Sequence, residues 1–186
     1  MSFYMRGYRS LVGGLLVVLV LFGGPVHADI EEGANAFLKS LVDQAVKSLT
    51  EADTPRPERI KQFRSMLRGN FAVRSIGKFV LGRNWRRASD VERKEYMVLF
   101  EDLMVVTYVD RFQRYAGESL KIKKTRVDTE SIATVFSEIE RPDGAKPIRV
   151  DWRVGTNGTI YKLLDVIVEG TSMSNTLRSD FGSIVR

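Results

Sequence analysis

Ile148-Arg149-Val150-Asp151-Trp152-Arg153-Val154-Gly155-Thr156-Asn157-Gly158-Thr159-Ile160 decides the architecture of this chain. Ile148, Val150, Trp152 and Val154 alternate with Arg149, Asp151 and Arg153, the period of a strand with one buried face. The run enters Thr156-Asn157-Gly158-Thr159, and Asn-Gly between two apolar runs is the strongest short signal for a hairpin. Ile160 to Val168 is then the returning strand. Upstream, Leu120, Ile122 and Val127 mark a first strand, and Ile132 to Ile139 a second. Arg141-Pro142-Asp143-Gly144 forms the turn before Ile148. These connections are too short for parallel crossovers, so four strands over residues 118–170 predict an antiparallel meander.

The residues before this block repeat at helical rather than strand spacing. Ala34, Phe37, Leu38, Leu41, Val42, Ala45, Val46 and Leu49 trace one helix face. Asp53-Thr54-Pro55-Arg56-Pro57 interrupts it. A second helix carries Ile60, Phe63, Met66 and Leu67 on one face and Lys61, Arg64 and Arg68 on another. Phe71 to Trp85 is apolar, basic and punctuated by glycine, the pattern of short helical pieces. Ser89 with Glu92 three residues later predicts a capping box that opens a helix running to about Tyr115. That helix carries Tyr96, Leu99, Phe100, Leu103, Met104, Val106, Thr107 and Tyr108 as a broad apolar surface, and Gly117 ends it. A final helix is expected over residues 173–186. Helices first and strands second argue for the α+β class. A sheet with one face on helices can enclose an apolar cavity between the layers, although long apolar residues there also serve as plain core.

The N-terminus has its own pattern. Arg6 and Arg9 precede an apolar run, Leu11 to Phe22. Gly23-Gly24-Pro25 and Val26-His27-Ala28 follow. This is the order of a secretory signal peptide, with cleavage expected after Ala28. The run falls short of the roughly 20 residues that span a bilayer, although an uncleaved membrane anchor is the rival reading. The expected organisation is therefore a signal peptide over 1–28 and one domain over 29–186, helical at 29–117 and strand-rich at 118–170. The only histidine, His27, lies in that leader, and the chain has no cysteine. The exported part thus lacks the commonest general base, the commonest metal ligand and the thiol nucleophile. No lipid-modified cysteine is possible, no loop has the spacing of a calcium site, and no cofactor is implied. Binding, not catalysis, is the expected activity.

Charge is unevenly placed. Arg56 to Arg87 holds ten basic residues against Glu58 alone, whereas Asp29 to Thr54 holds two basic residues against six acidic ones. Basic clustering suits phosphates, anionic lipid surfaces or an acidic protein face. Export argues against nucleic acid as the partner. A solvated helix face that keeps the protein soluble explains the same cluster.

Six segments carry a family resemblance. Phe79-Val80-Leu81-Gly82-Arg83-Asn84-Trp85-Arg86 is similar to the L-G-R-x-W-R segment of the MlaC family, the toluene-tolerance periplasmic proteins. Ser89 to Tyr96 resembles that family's helix start, and Thr107-Tyr108 with Tyr115-Ala116-Gly117-Glu118 its T-Y and Y-x-G-E pair. Leu164 to Ser172 and Leu177-Arg178-Ser179-Asp180-Phe181 resemble its D-V-x-x-E-G-x-S and R-S-x-F signatures. A hopanoid-associated branch shares these motifs. The resemblance implies a curved four-stranded meander under helices, of MlaC-like or NTF2-like type, around an apolar pocket. It implies a monomeric periplasmic carrier whose ligand is a phospholipid or a hopanoid. Its expected partners are an inner-membrane ABC transporter with an MCE-domain subunit and an outer-membrane lipoprotein complex. The chain ends soon after R-S-x-F where many relatives continue, which implies a more open pocket.

The expected pocket residues are Phe79, Phe100, Leu103, Met104 and Tyr108 from the helices, with Val135, Val150, Trp152, Val154, Leu164 and Val166 from the strands. Leu103→Arg is accordingly expected to empty it. Arg83, Arg86 and Arg87 are candidates for a lipid headgroup or a docking face, since the guanidinium fork suits phosphate oxygens. Asp165 and Glu169 either orient a partner or serve the structure, by pairing with an arginine such as Arg83 or capping the last helix. Two rival classes stay open. An NTF2-like enzyme would use Asp165 with Tyr108 or Tyr161, and a peripheral binder of anionic membranes would use the basic stretch.

Overall fold

A computed structural model describes residues 26–49, 51, 53–110 and 117–184. The expected signal segment up to residue 25, the motif residues Tyr115 and Ala116, and the last two residues lie outside them. Helix α1 (Val26–Leu49) is followed by α2 (Arg56–Asn70), α3 (Val73–Leu81), α4 (Arg83–Arg87) and α5 (Asp90–Tyr108). The sheet then forms from β1 (Ser119–Thr129), β2 (Ile132–Glu140), β3 (Ile148–Thr156), β4 (Tyr161–Val168) and β5 (Thr171–Ser172), and α6 (Met173–Ile184) closes the described chain. Strand order is β1-β2-β3-β4-β5, antiparallel throughout. The four predicted strands are present, and β5 is a fifth. Its two residues are too short for any alternation to show. They pair back on Ile167 and Val168 through a turn in which Glu169 and Gly170 both have positive φ, 48° and 83°. A two-residue connection of that kind fits the strand twist, and glycine takes it without cost.

α1 lies across the inner face of the sheet. Its Ala34, Leu38, Leu41 and Leu49 are buried against Val105 and Val109 of the α5 region and Ala133, Val135, Val154 and Leu163 of the strands. Tyr161 leans on α1 where Gly33 leaves room for its hydroxyl, and its ring stacks on Phe37 at 6.2 Å. A second cluster, Ile76, Val80 and Phe100, joins α3 to α5 with Tyr96, Leu177 and Phe181 packed on it. The predicted capping box is present: Ser89 N–H donates to Glu92 Oε2 at 2.7 Å, and Glu92 N–H donates to Ser89 Oγ.

Three of the ten basic residues of the stretch pair with carboxylates on or just after α5. Arg64 contacts Glu101 and Asp102 at 2.7 Å each, Arg68 reaches Glu101 at 2.9 Å, and Arg56 holds Asp110 at 3.0 Å. Glu101 is 13% exposed at the centre of this network. Burial pushes its carboxyl up, but the hydrogen bonds and charge of Arg68 and Arg64 outweigh that and hold it below its ordinary value of 4.5. Folding therefore favours the ionised form. That contribution is complete above the unfolded value near 4.5 and is lost as pH falls through the lower folded value. Glu101→Gln is expected to cost about 1 kcal/mol at pH 7. Urea unfolding at pH 7 and pH 3 should show the wild type losing more stability over that drop than the variant; equal losses would refute the assignment.

Candidate functional site

An apolar cavity of about 230 Å³ lies between the helices and β4. α2 contributes Phe63, Met66 and Leu67, the α2–α3 link Phe71, and α3 Ile76. α5 contributes Met104 and Tyr108, β4 Asp165 and Val166, and α6 Met173, Ser174 and Leu177. The walls are carbon and sulfur almost throughout. Three of the four methionines that follow residue 28 line them, and a thioether side chain adapts to irregular shapes.

Three local devices build this wall. The first is a bulge in β4. Arg153 pairs with Asp165, but Val154 pairs with Leu163, so Leu164 is the extra residue. The inner face therefore carries Leu163 and Val166 opposite Val154 and Trp152, and Leu164 lies elsewhere. The second is the α2–α3 link. Phe71 pairs with Leu163, and Ala72 N–H donates to the Leu163 carbonyl at 2.9 Å. The third is Asp165. Its Oδ1 accepts the N–H groups of Val166 at 2.9 Å and Ser174 at 3.0 Å, while Oδ2 accepts the Ser172 hydroxyl. Ser172 Oγ in turn accepts from Asn175 N–H. Asp165 and Ser172 together cap α6 and set it as a wall. Of the two structural roles open to Asp165, capping is the one realised. Glu169 bonds the N–H of Arg149 at 2.7 Å and ties the β4–β5 turn to β3.

At its far side α6 is held to α3. Arg178 donates to the Phe79 carbonyl at 2.8 Å and lies 4.7 Å from the Phe79 ring centroid. It also passes Gly82, whose φ of 58° separates α3 from α4. A second hollow, of about 280 Å³, abuts the cavity and shares Ile76, Asp165 and Ser174 with it. Phe79, Leu164 and Arg153 are among its other walls.

Met104, Tyr108 and Val166 are the predicted pocket residues that the structure brings to the cavity. Phe100, Val135 and Val154 are fully packed core, and Val150 is buried. Trp152 is half-buried, its indole N–H on Ser137 Oγ at 2.9 Å. Leu103, 39% exposed, is on the solvent side of α5, and Phe79 and Leu164 line the neighbouring hollow. Arg83, Arg86 and Arg87 are exposed on α4 and line neither space. The sequence pattern places Phe63, Met66 and Leu67 on a helix face, Phe71 at the start of the short helical pieces and Leu177 in a family motif, and links none of them, nor Ile76 or Met173, to a pocket. The heptad-like spacing of Ile76, Val80 and Phe79 carries no mark that separates core from cavity.

The family model described as MlaC protein matches residues 39–186 of this chain. Among solved structures, a phospholipid-binding protein from Ralstonia solanacearum, determined in complex with a phospholipid, superposes with a TM-score of 0.68. The two share 18% sequence identity over 82% of this chain and 87% of that one. At that identity the likeness is one of fold.

Proposed function

The chain belongs to the MlaC family, and from that premise we propose that its apolar cavity takes the acyl chains of a phospholipid. The observation that carries this is the cavity wall: twelve residues from five elements and one link, with Asp165 as the only ionisable side chain besides the Tyr108 phenol. Burying one CH₂ is worth about 0.8 kcal/mol, so a 16-carbon chain contributes on the order of 10 kcal/mol. A bilayer satisfies that chain equally well, so exchange between membrane and carrier lies near balance. Its direction is then set by partners, and the carrier itself needs no catalytic residue. A cavity of about 230 Å³ is below the ~300–1,000 Å³ of small-molecule sites, so the methionine walls re-pack as the ligand enters.

A carrier of this kind works in the periplasm, released by cleavage after Ala28 as a single monomeric domain over residues 29–186. No described helix is long and apolar enough to cross a membrane. It shuttles lipid between an outer-membrane lipoprotein complex and an inner-membrane ABC transporter with an MCE-domain subunit. The exposed Arg83, Arg86 and Arg87 face acidic surfaces of those partners. Asp165 and Tyr108, one of the two pairs an enzyme of this fold would use, do share the cavity wall. Against a catalytic role, both oxygens of Asp165 are engaged by three donors, and Tyr161 of the other pair is packed against α1.

Native mass spectrometry of the purified protein, followed by extraction and identification of bound material, tests this. One phospholipid per chain is the expected result. A bound hopanoid would move the protein to the hopanoid branch. A clean apo mass that persists after incubation with phospholipid vesicles would overturn the proposal.

A further inference from the structure

The hollow beside the apolar cavity has a different chemistry. Arg153 of β3, Ser75 of α3, and Ser174 and Asn175 of α6 line it together. Among the described residues, none of these four side chains has a hydrogen-bond or ion-pair partner. Ser174 is 7% exposed as a residue, yet its hydroxyl is not among the fully buried side-chain atoms, so it stays reachable from the hollow. Arg153 is paired in register with Asp165 and lies near enough to Asp128 to act on its charge, yet it bridges neither. Asp128 is engaged by Arg126 and the Thr134 hydroxyl, and Asp165 by its three donors.

We propose that this hollow is the subsite for the phosphate of the lipid whose tails fill the apolar cavity, with Arg153 as its charged anchor. The proposal rests on the acyl-chain reading above. Ile76, Asp165 and Ser174 line both spaces, so tails on one side and phosphate on the other meet at a single wall. A guanidinium fork takes two phosphate oxygens at once, and the Ser75, Ser174 and Asn175 side chains supply neutral donors beside it. The headgroup beyond the phosphate points past the exposed Phe79 toward solvent, so one site accepts phosphodiesters with different headgroups.

The test compares two probes with identical oleoyl chains, phosphatidylglycerol and diacylglycerol, and adds inorganic phosphate alone. The protein is the wild type, Arg153→Gln, or Lys146→Gln as an exposed-charge control. Wild type is expected to bind phosphatidylglycerol about tenfold more tightly than diacylglycerol. Arg153→Gln should remove that difference by weakening phosphatidylglycerol alone, with an unchanged thermal midpoint, and Lys146→Gln should preserve it. Equal binding of the two lipids by wild type, or equal weakening of both by Arg153→Gln, overturns the subsite and leaves the acyl-chain reading intact. Failure of wild type to bind either lipid overturns that reading and the subsite with it. Inorganic phosphate bound as tightly as the lipid would make the hollow a free-phosphate site and refute its link to the tails.

Discussion

A Met104→Arg variant is expected to lose bound phospholipid at least tenfold relative to wild type, read as lipid phosphorus per mole of protein. Met104 is half-buried on α5 and lines the cavity with Tyr108. Arginine there sets a guanidinium against Met66, Met173 and Leu177, with no unengaged carboxylate in the wall. An acyl chain would have to share the space with an unpaired charge, which costs several kcal/mol or forces the arginine to fill the cavity with its own stem. Met104→Leu keeps an apolar side chain of similar volume and should retain the lipid. Met104→Gln places polarity without charge and should lose it while folding normally. Leu103→Arg, one position along, enters solvent and should leave lipid content unchanged. Retention of lipid by the folded Gln and Arg variants would show that this cavity is not the acyl-chain site.

Asp165→Ala is expected to lower stability by about 3 kcal/mol, through three donors left without an acceptor. The Ser174 N–H sits in the first turn of α6, the Val166 N–H at the bulge, and the Ser172 hydroxyl in β5. One substitution therefore loosens the helix cap and the short fifth strand together. Asp165→Asn keeps one acceptor oxygen and should lose about half as much. Because α6 supplies Met173 and Leu177 to the cavity, lipid content should fall with stability. Urea unfolding of the three proteins decides it, and a loss below about 1 kcal/mol for the alanine variant would refute the capping role.

Strand alternation and the Asn157-Gly158 turn made the meander legible, because both signals are local. The Ser89–Glu92 box was legible for the same reason. The bulge in β4 was not. Leu163 and Leu164 are both apolar, so nothing in their order tells which one faces inward, and the alternation carried Leu164 into the predicted pocket. Phe100, Val135 and Val154 look like Met104 and Val166 in the sequence; only the depth to which α1 and α3 pack against them makes the first three core. The pairing of Arg56, Arg64 and Arg68 within the basic stretch was not legible because their partners Glu101, Asp102 and Asp110 lie more than thirty residues away. The cap at Asp165 was one of two structural options that local sequence could not separate, since choosing it depends on β5, a strand of two residues.

The methionine walls have a consequence for chemical lifetime. A thioether oxidises to a sulfoxide, which is polar, chiral and stiffer in its hydration demands. In a chain without cysteine the thioethers are the oxidisable sulfur groups, and three of them, Met66, Met104 and Met173, border the same space. Oxidation there would wet the cavity while leaving Leu38, Val135 and the rest of the packed interior untouched. Damage would then register as lost cargo well before it registered as unfolding, and methionine sulfoxide reduction would be the repair that restores the carrier.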